Sequence, residues 1–219
     1  NSIVAGPWTH GGGKGSKVDH LGQAPLGGHD TAAEFRAEAE APFFRYWLHG
    51  KGDKPTSGAR MFETGSNSWK TYDAWPPKQA KATELYFHSD GSLSFTAPTA
   101  EEAKAPYREY VSDPANPVPY RPRPIASTFT SADWHGWEIL DQRFVDKRPD
   151  VLSYVSAPLD HDVAIAGPVA ATLFASTSGT DSDMVVKLID VYPENADPVA
   201  DDLSAEQQAD AKSMNGYQL

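Results

Sequence analysis

His10 is the residue of this chain best suited to chemistry. It closes the segment Gly6-Pro7-Trp8-Thr9-His10, just past the short apolar run Ile3-Val4-Ala5. Such a run is compatible with a buried parallel strand, and open α/β sheets place their ligands beyond the carboxyl ends of the strands. An imidazole there can serve as a general base, because its pKa lies near neutrality and it can both take and return a proton. Gly6 and Pro7 would end the strand and fix the loop, Trp8 would pack, and His10 would project. The same position also suits an ordinary surface-loop histidine, and spacing alone does not separate the two readings.

The other groups of chemical interest are weaker. His20, His29, His49, His88, His135 and His161 form no His-Glu-x-x-His pattern and have no carboxylate at ligand spacing beyond what chance supplies, so no metal and no cofactor is expected. Asp181-Ser182-Asp183 is part of a calcium-loop pattern without the rest of it; Asp and Ser favour turns for local reasons, so a turn between strands is expected. Gly11, Gly12, Gly13 and Gly15 are not followed by Gly-Lys-Ser/Thr at phosphate-loop spacing. The acidic stretch from Glu194 to Asp210 reads as a solvated segment with a weak helix.

The elements that would hold His10 follow from periodicity. After a glycine-rich loop over 11–30, Thr31 and Glu34 have capping-box spacing. Phe35, Ala39, Phe43 and Trp47 then recur every fourth residue and give one apolar stripe of a helix. Pro42 should kink that helix, and Gly50 should cap its end. Arg60–Thr64 reads as a strand and Gly65–Pro77 as a Trp-bearing loop. From about residue 83 the pattern changes to short strands. Glu84–His88 and Ser92–Phe95 flank Asp90-Gly91, a hairpin signal because such turns need positive φ. Ser112–Pro124 holds five prolines, a stiff extended connector. Further strands are expected near 151–156, 162–166, 169–176 and 184–191, spacing that points to an antiparallel sandwich or jelly roll.

Composition bounds the partners. The 219 residues are 39% hydrophobic and 11% aromatic, enough for a real core, and no internal repeat is seen. A formal net charge of −11 argues against nucleic acid and anionic membrane. The absence of cysteine excludes disulfides and thiolate metal sites. No apolar run reaches the roughly 18 residues that a membrane span requires. Both ends read as strands interrupted, so the chain is expected to be a piece of a longer one.

Several motifs in order resemble the family of cocaine esterase and α-amino acid ester hydrolase, related to X-Pro dipeptidyl peptidases. Ala5-Gly6-Pro7-Trp8-Thr9-His10-Gly11 is similar to the family's histidine motif. Phe43-Phe44-Arg45-Tyr46-Trp47-Leu48-His49-Gly50 resembles the helix that follows it. Thr64-Gly65-Ser66-Asn67-Ser68-Trp69 with Ala74-Trp75-Pro76 resembles the next strand and loop. Tyr110-Val111-Ser112-Asp113-Pro114 and Pro117-Val118-Pro119 fit its connector. Asp141-Gln142-Arg143, Arg148-Pro149-Asp150-Val151-Leu152 and Ser178–Val191 fit its appended jelly roll.

The resemblance implies an α/β plus all-β fold. Residues 1–80 would be the C-terminal part of an α/β-hydrolase catalytic domain, and 81–219 a partial jelly roll. It implies a serine-type hydrolase acting through an acyl-enzyme on a small ester or amide, with α-amino acid esters or β-lactams as the nearest substrates. His10 would be the triad histidine. Triad order in such folds is Ser, then Asp or Glu, then His, and no Gly-x-Ser-x-Gly elbow occurs here, so serine and acid would lie upstream of Asn1. Alone the chain would be inactive. The segment Asp133-Trp134-His135-Gly136-Trp137 would reach toward the acyl pocket, where Trp134 and Trp137 could wall phenyl-bearing groups; interdomain packing suits the same residues. A periplasmic or secreted setting and a homo-oligomer are compatible with the resemblance. Two other readings stay open. One is an X-Pro dipeptidyl peptidase, which also needs a site for a free α-amine. The other, from a different class, is a non-catalytic β-sandwich binding module such as a carbohydrate-binding one.

Overall fold

The structure, a computed structural model, describes residues 2–15, 17–22, 24–55, 57–125, 139–194 and 216–218. It divides into two compact units, residues 1–78 with 166–219, and residues 79–165.

The first unit is built on a three-stranded sheet in the order β1-β4-β5. Strand β1 (Ser2–Ala5) runs parallel to β4 (Gly58–Glu63), with Ser2 opposite Gly58 and Ala5 opposite Met61. The parallel strand expected at Ile3–Ala5 is therefore present, although Ile3 is exposed among the described residues. Strand β5 (Ser68–Tyr72) returns antiparallel to β4 and sets Trp69 opposite Phe62. This corrects the loop expected over Gly65–Pro77. Trp69, Thr71 and Tyr72 are good strand residues, but what makes them a strand is the partner across the turn, where Gly65 (φ 84°) and Asn67 (φ 46°) reverse the chain. A two-stranded ribbon of β2 (His20–Leu21) and β3 (Ala24–Pro25) precedes the helices.

The helix expected from residue 31 is interrupted. α1 (Thr31–Phe35) passes into a π-helical turn over Arg36–Glu40, and α2 (Ala41–His49) follows with Pro42 in its first turn. Proline lacks the N–H for the i−4 bond and its ring crowds that carbonyl; a wider i→i+5 turn just before it relieves both. The kink thus takes the form of a π turn. Gly50 (φ 62°, ψ 27°) ends α2 as expected, its N–H and that of Lys51 closing on the carbonyls of Tyr46 and Arg45. The capping box does not form. Asp30 is the N-cap and accepts the N–H of Ala33, while Thr31, fully buried, donates its hydroxyl to the Val18 carbonyl. The apolar stripe is also divided: Phe35 packs inward, whereas Phe43 and Trp47 are exposed among the described residues. Leu26, Ala32, Ala59 and Phe62 form the buried core of this unit.

The second unit carries a three-stranded sheet, β6-β7-β8. β6 (Tyr86–Phe87) and β7 (Ser92–Ser94) form the expected hairpin. Gly91 takes φ 91°, and the Asp90 carboxylate accepts the Ser92 N–H at 2.8 Å. β8 (Val155–Ser156) pairs with β7 in parallel, where an antiparallel neighbour was expected. A short helix, α3 (Arg143–Asp146), precedes it. The Arg148 guanidinium grips Asp150 through two bonds and donates to the Asn116 carbonyl at 2.8 Å, tying down the proline-rich connector. Arginine and carboxylate each favour the other's charged form, so Arg148 is shifted up and Asp150 down.

The strands expected at 162–166, 169–176 and 184–191 are not strands among the described residues. Among the described residues an isolated antiparallel bridge, Val191 with Gln218, marks that region. The apolar alternation is real, but a strand exists through its neighbour's N–H and C=O groups, and here Phe174, Val185 and Leu188 remain exposed. The described fold is sheet with few, short helices, and a jelly roll is not defined by these strands.

Candidate functional site

The site begins where β1 ends. Trp8 N–H folds back onto the Gly6 carbonyl at 2.9 Å, and Gly12 N–H closes a turn on the Thr9 carbonyl at 2.8 Å. Gly11, at φ 78°, makes that turn possible, and a 3-10 helix over Gly12–Lys14 follows it. His10 sits in this turn, exposed, past the carboxyl end of a strand in a parallel pair. Among the described residues its ring has no hydrogen-bonding partner.

The turn is held from beneath by aromatic packing. The Trp8 ring lies 5.2 Å from Phe35 and 6.0 Å from Trp69, between centroids. It also covers two glycines. A Cβ on Gly6 would overlap the indole carbons, and one on Gly12 would approach Trp8 Cβ to 2.8 Å. Arg36 Nη1 donates to the Gly13 carbonyl at 3.2 Å and pins the far side of the turn to the helix.

Trp69 is itself fixed. Its indole N–H donates to Glu34 Oε2 at 2.7 Å, and the other oxygen, Oε1, lies 2.8 Å from His29 Nδ1. Phe62 meets Trp69 edge-on at 5.4 Å and His29 at 5.5 Å. Arg60 lies 4.8 Å above the Trp69 ring and is paired with Glu38. In the loop beyond His10, Asp19 accepts from Lys17 at 2.5 Å and meets His20 at 3.0 Å. The lysine bond, then the histidine bond, hold its carboxyl down at about 2. The pairing of Glu34 with Trp69 could not be read from the sequence, because they are 35 residues apart and meet only through the fold.

The other candidates fall elsewhere. His20, His29, His88 and His161 each pair with one carboxylate, of Asp19, Glu34, Glu102 and Asp160. Exposed His49 ends α2. Asp181 accepts the Ser182 N–H at 2.8 Å, a local turn. Trp134, His135 and Trp137, and most of the acidic stretch from Glu194 to Asp210, lie outside the described residues. Among the described residues no cluster of three His, Asp or Glu could hold a metal ion, and no helix is long and apolar enough to cross a membrane. What the arrangement offers chemically is one accessible imidazole on a turn braced from both sides, able to exchange protons with a group brought to it.

Residues 39–214 match the family described as the X-Pro dipeptidyl-peptidase C-terminal non-catalytic domain, a match that begins after His10, Trp8, Phe35 and Arg36 and includes Trp69. Cocaine esterase of Rhodococcus sp. (strain MB1 Bresler) is 29% identical over 209 residues, covering 88% of this chain and 33% of its own length. A solved α-amino acid ester hydrolase superposes with a TM-score of 0.81 at 39% identity, over 100% of this chain and 34% of its own. A solved aminopeptidase from a marine-sediment Thaumarchaeota archaeon gives 0.62 at 36% identity, over 71% of this chain and 25% of its own. The chain spans about a third of the length of the first two.

Proposed function

The chain belongs to the X-Pro dipeptidyl-peptidase C-terminal non-catalytic domain family, and from that premise we propose that it is part of a serine hydrolase in which His10 is the proton shuttle. By name its relatives include an esterase and an ester hydrolase. In the proposed reaction a serine hydroxyl attacks an ester or amide carbonyl while His10 takes its proton. His10 then protonates the leaving group and finally activates water against the acyl-enzyme. The serine and the acid would come from the two thirds of the relatives' length that this chain does not span. The observation that carries the proposal is the exposed His10 in a packed turn past the carboxyl end of β1.

α-Amino acid esters or β-lactam-type amides are the proposed substrates, in line with the name of the ester hydrolase relative. The aminopeptidase relative supports a second reading, a peptide substrate entered by its free α-amine, as in an X-Pro dipeptidyl peptidase. Trp134 and Trp137 are proposed as walls for the acyl group. Trp134→Ala would then change the preference among acyl groups; equal losses on all substrates with a lower melting point would make it packing instead. Residues 1–80 would close the catalytic domain and 81–219 would form the appended β-rich one. Limited proteolysis cutting near residue 80 supports that division, whereas two cuts releasing 79–165 overturn it.

The deciding experiment is His10→Ala in the full-length enzyme, with amino-acid ester hydrolysis followed by pH-stat. Loss of kcat by at least ~10³-fold is expected. Near-normal turnover refutes the proposal.

A further inference from the structure

We infer that Glu34 is a positioning residue for His10, acting through Trp69 and Trp8. The inference rests on the proposed role of His10 and adds the group that sets its place.

A general base works only within hydrogen-bond reach of the proton it takes, and displacement by about 1 Å costs on the order of 100-fold in rate. His10 is on a turn rather than on a strand or helix, and its ring makes no hydrogen bond among the described residues. Its position is therefore set by what holds the backbone on either side. On the far side Arg36 holds the Gly13 carbonyl. On the near side Trp8, two residues before His10, fills the space between Gly6 and Gly12 and leans on Phe35 and Trp69.

Of those two supports, Phe35 is carried on the same helical turn as Glu34, whereas Trp69 comes from β5. An indole packed on rings alone can slide or rotate in its plane. The Trp69 ring is denied that freedom by its N–H bond to Glu34 at 2.7 Å. Glu34 is held in turn by His29, which bonds its second oxygen and packs edge-on against Phe62, the residue opposite Trp69 in the sheet. The loop before α1, the helix and β5 thus meet at one carboxylate, and Phe62 of β4 packs against both groups that bond it. Its side chain is 26% exposed, so the two bonds are partly sheltered from water.

The test uses the full-length enzyme. Glu34→Ala should lower kcat on the order of 10- to 100-fold with KM within about two-fold, since the displaced group is the base rather than a substrate contact. Glu34→Gln should restore kcat to within about three-fold, because an amide can accept from Trp69 and donate to His29. Trp69→Phe, which keeps a ring and loses the N–H, should match Glu34→Ala, and the double variant should lose no more than either single, as expected for residues acting in series. Unchanged kcat in Glu34→Ala overturns the inference. So does a Gln variant as impaired as Ala with the same drop in melting temperature, which would mark Glu34 as a general fold element. His10→Ala separates the levels: if it is inactive while Glu34→Ala is silent, only this inference falls, and if it is active, the reading beneath falls as well.

Discussion

The indole of Trp8 lies on the Cα of Gly6, so closely that a Cβ at position 6 would overlap ring carbons Cζ3 and Cη2. Trp8 cannot swing aside freely, because Phe35 and Trp69 stand against its other surfaces. Gly6→Ala should therefore cost roughly 1–3 kcal/mol, the usual range for overpacking a closed site. Urea unfolding followed by tryptophan fluorescence would measure it. An unchanged midpoint would mean that the Trp8 ring is loose, and the bracing of the His10 turn with it.

Gly58 opens β4 opposite Ser2 of β1. Its φ is 118°, and a Cβ there would overlap the Tyr72 carbonyl oxygen and come within 2.9 Å of that of Asp73. Both neighbours are backbone and cannot rotate away. Gly58→Ala should destabilise the first unit by roughly 2–4 kcal/mol, combining strained backbone and overlap. Thermal and chemical unfolding should agree on the loss, and an effect under about 0.5 kcal/mol would contradict the tight seam between β4 and the end of β5.

Asp30 holds two donors, the Ala33 N–H at 3.1 Å and the Val18 N–H at 3.2 Å. Asp30→Ala should cost about 1–2 kcal/mol, as removal of an N-cap does, and Asp30→Asn much less. Equal losses for Ala and Asn, again by urea unfolding, would show that charge rather than the accepted bonds matters at this position.

His88 is buried with its Nδ1 2.6 Å from Glu102 Oε1 and its Nε2 3.2 Å from the Thr96 carbonyl. Two acceptors require two N–H donors, so the folded ring is the imidazolium. The Glu102 bond above all raises its pKa from the ordinary 6.5, against the opposing effect of burial, and Asp90 also favours the cation. A raised folded pKa gives stability that is complete below about 6.5 and lost as pH climbs through the folded value. Glu102 runs the other way: the Thr99 N–H, then His88, lower it from 4.5, so its contribution is lost as pH falls through its folded value. Stability of the native chain should decline as pH rises above 6.5, and His88→Gln should flatten that decline. Unfolding free energies at four pH values across this range decide it, and equal slopes for both proteins would exclude the charged ring.

What could be read from the sequence was what neighbours along the chain determine. Asp90-Gly91 reverses the chain because Gly91 adopts φ 91°, Gly50 stops α2 by the same freedom, and Pro42 breaks the helix ahead of itself. Asp30 and Thr31 show the limit of such local signals. Both are good N-caps, and the choice fell to Asp30 because Thr31 is drawn to the Val18 carbonyl, 13 residues away. His10 was visible as a residue after a strand. The packing that fixes it was not, since Trp8, Glu34 and Trp69 share no local pattern. Strand pairing failed in the same way: β7 chose β8 in parallel across some 60 residues, and among the described residues the alternating segment 184–191 takes part in a bridge at Val191 rather than in a strand.

The first compact unit is discontinuous, drawing on residues 1–78 and again on 166–219. On a ribosome its two portions emerge apart, separated by the whole of the second unit. At ~5–20 residues per second, making those ~90 intervening residues takes roughly 5–18 s. During that interval the His10 turn and its aromatic bracing must hold together without the later segment, or wait for it.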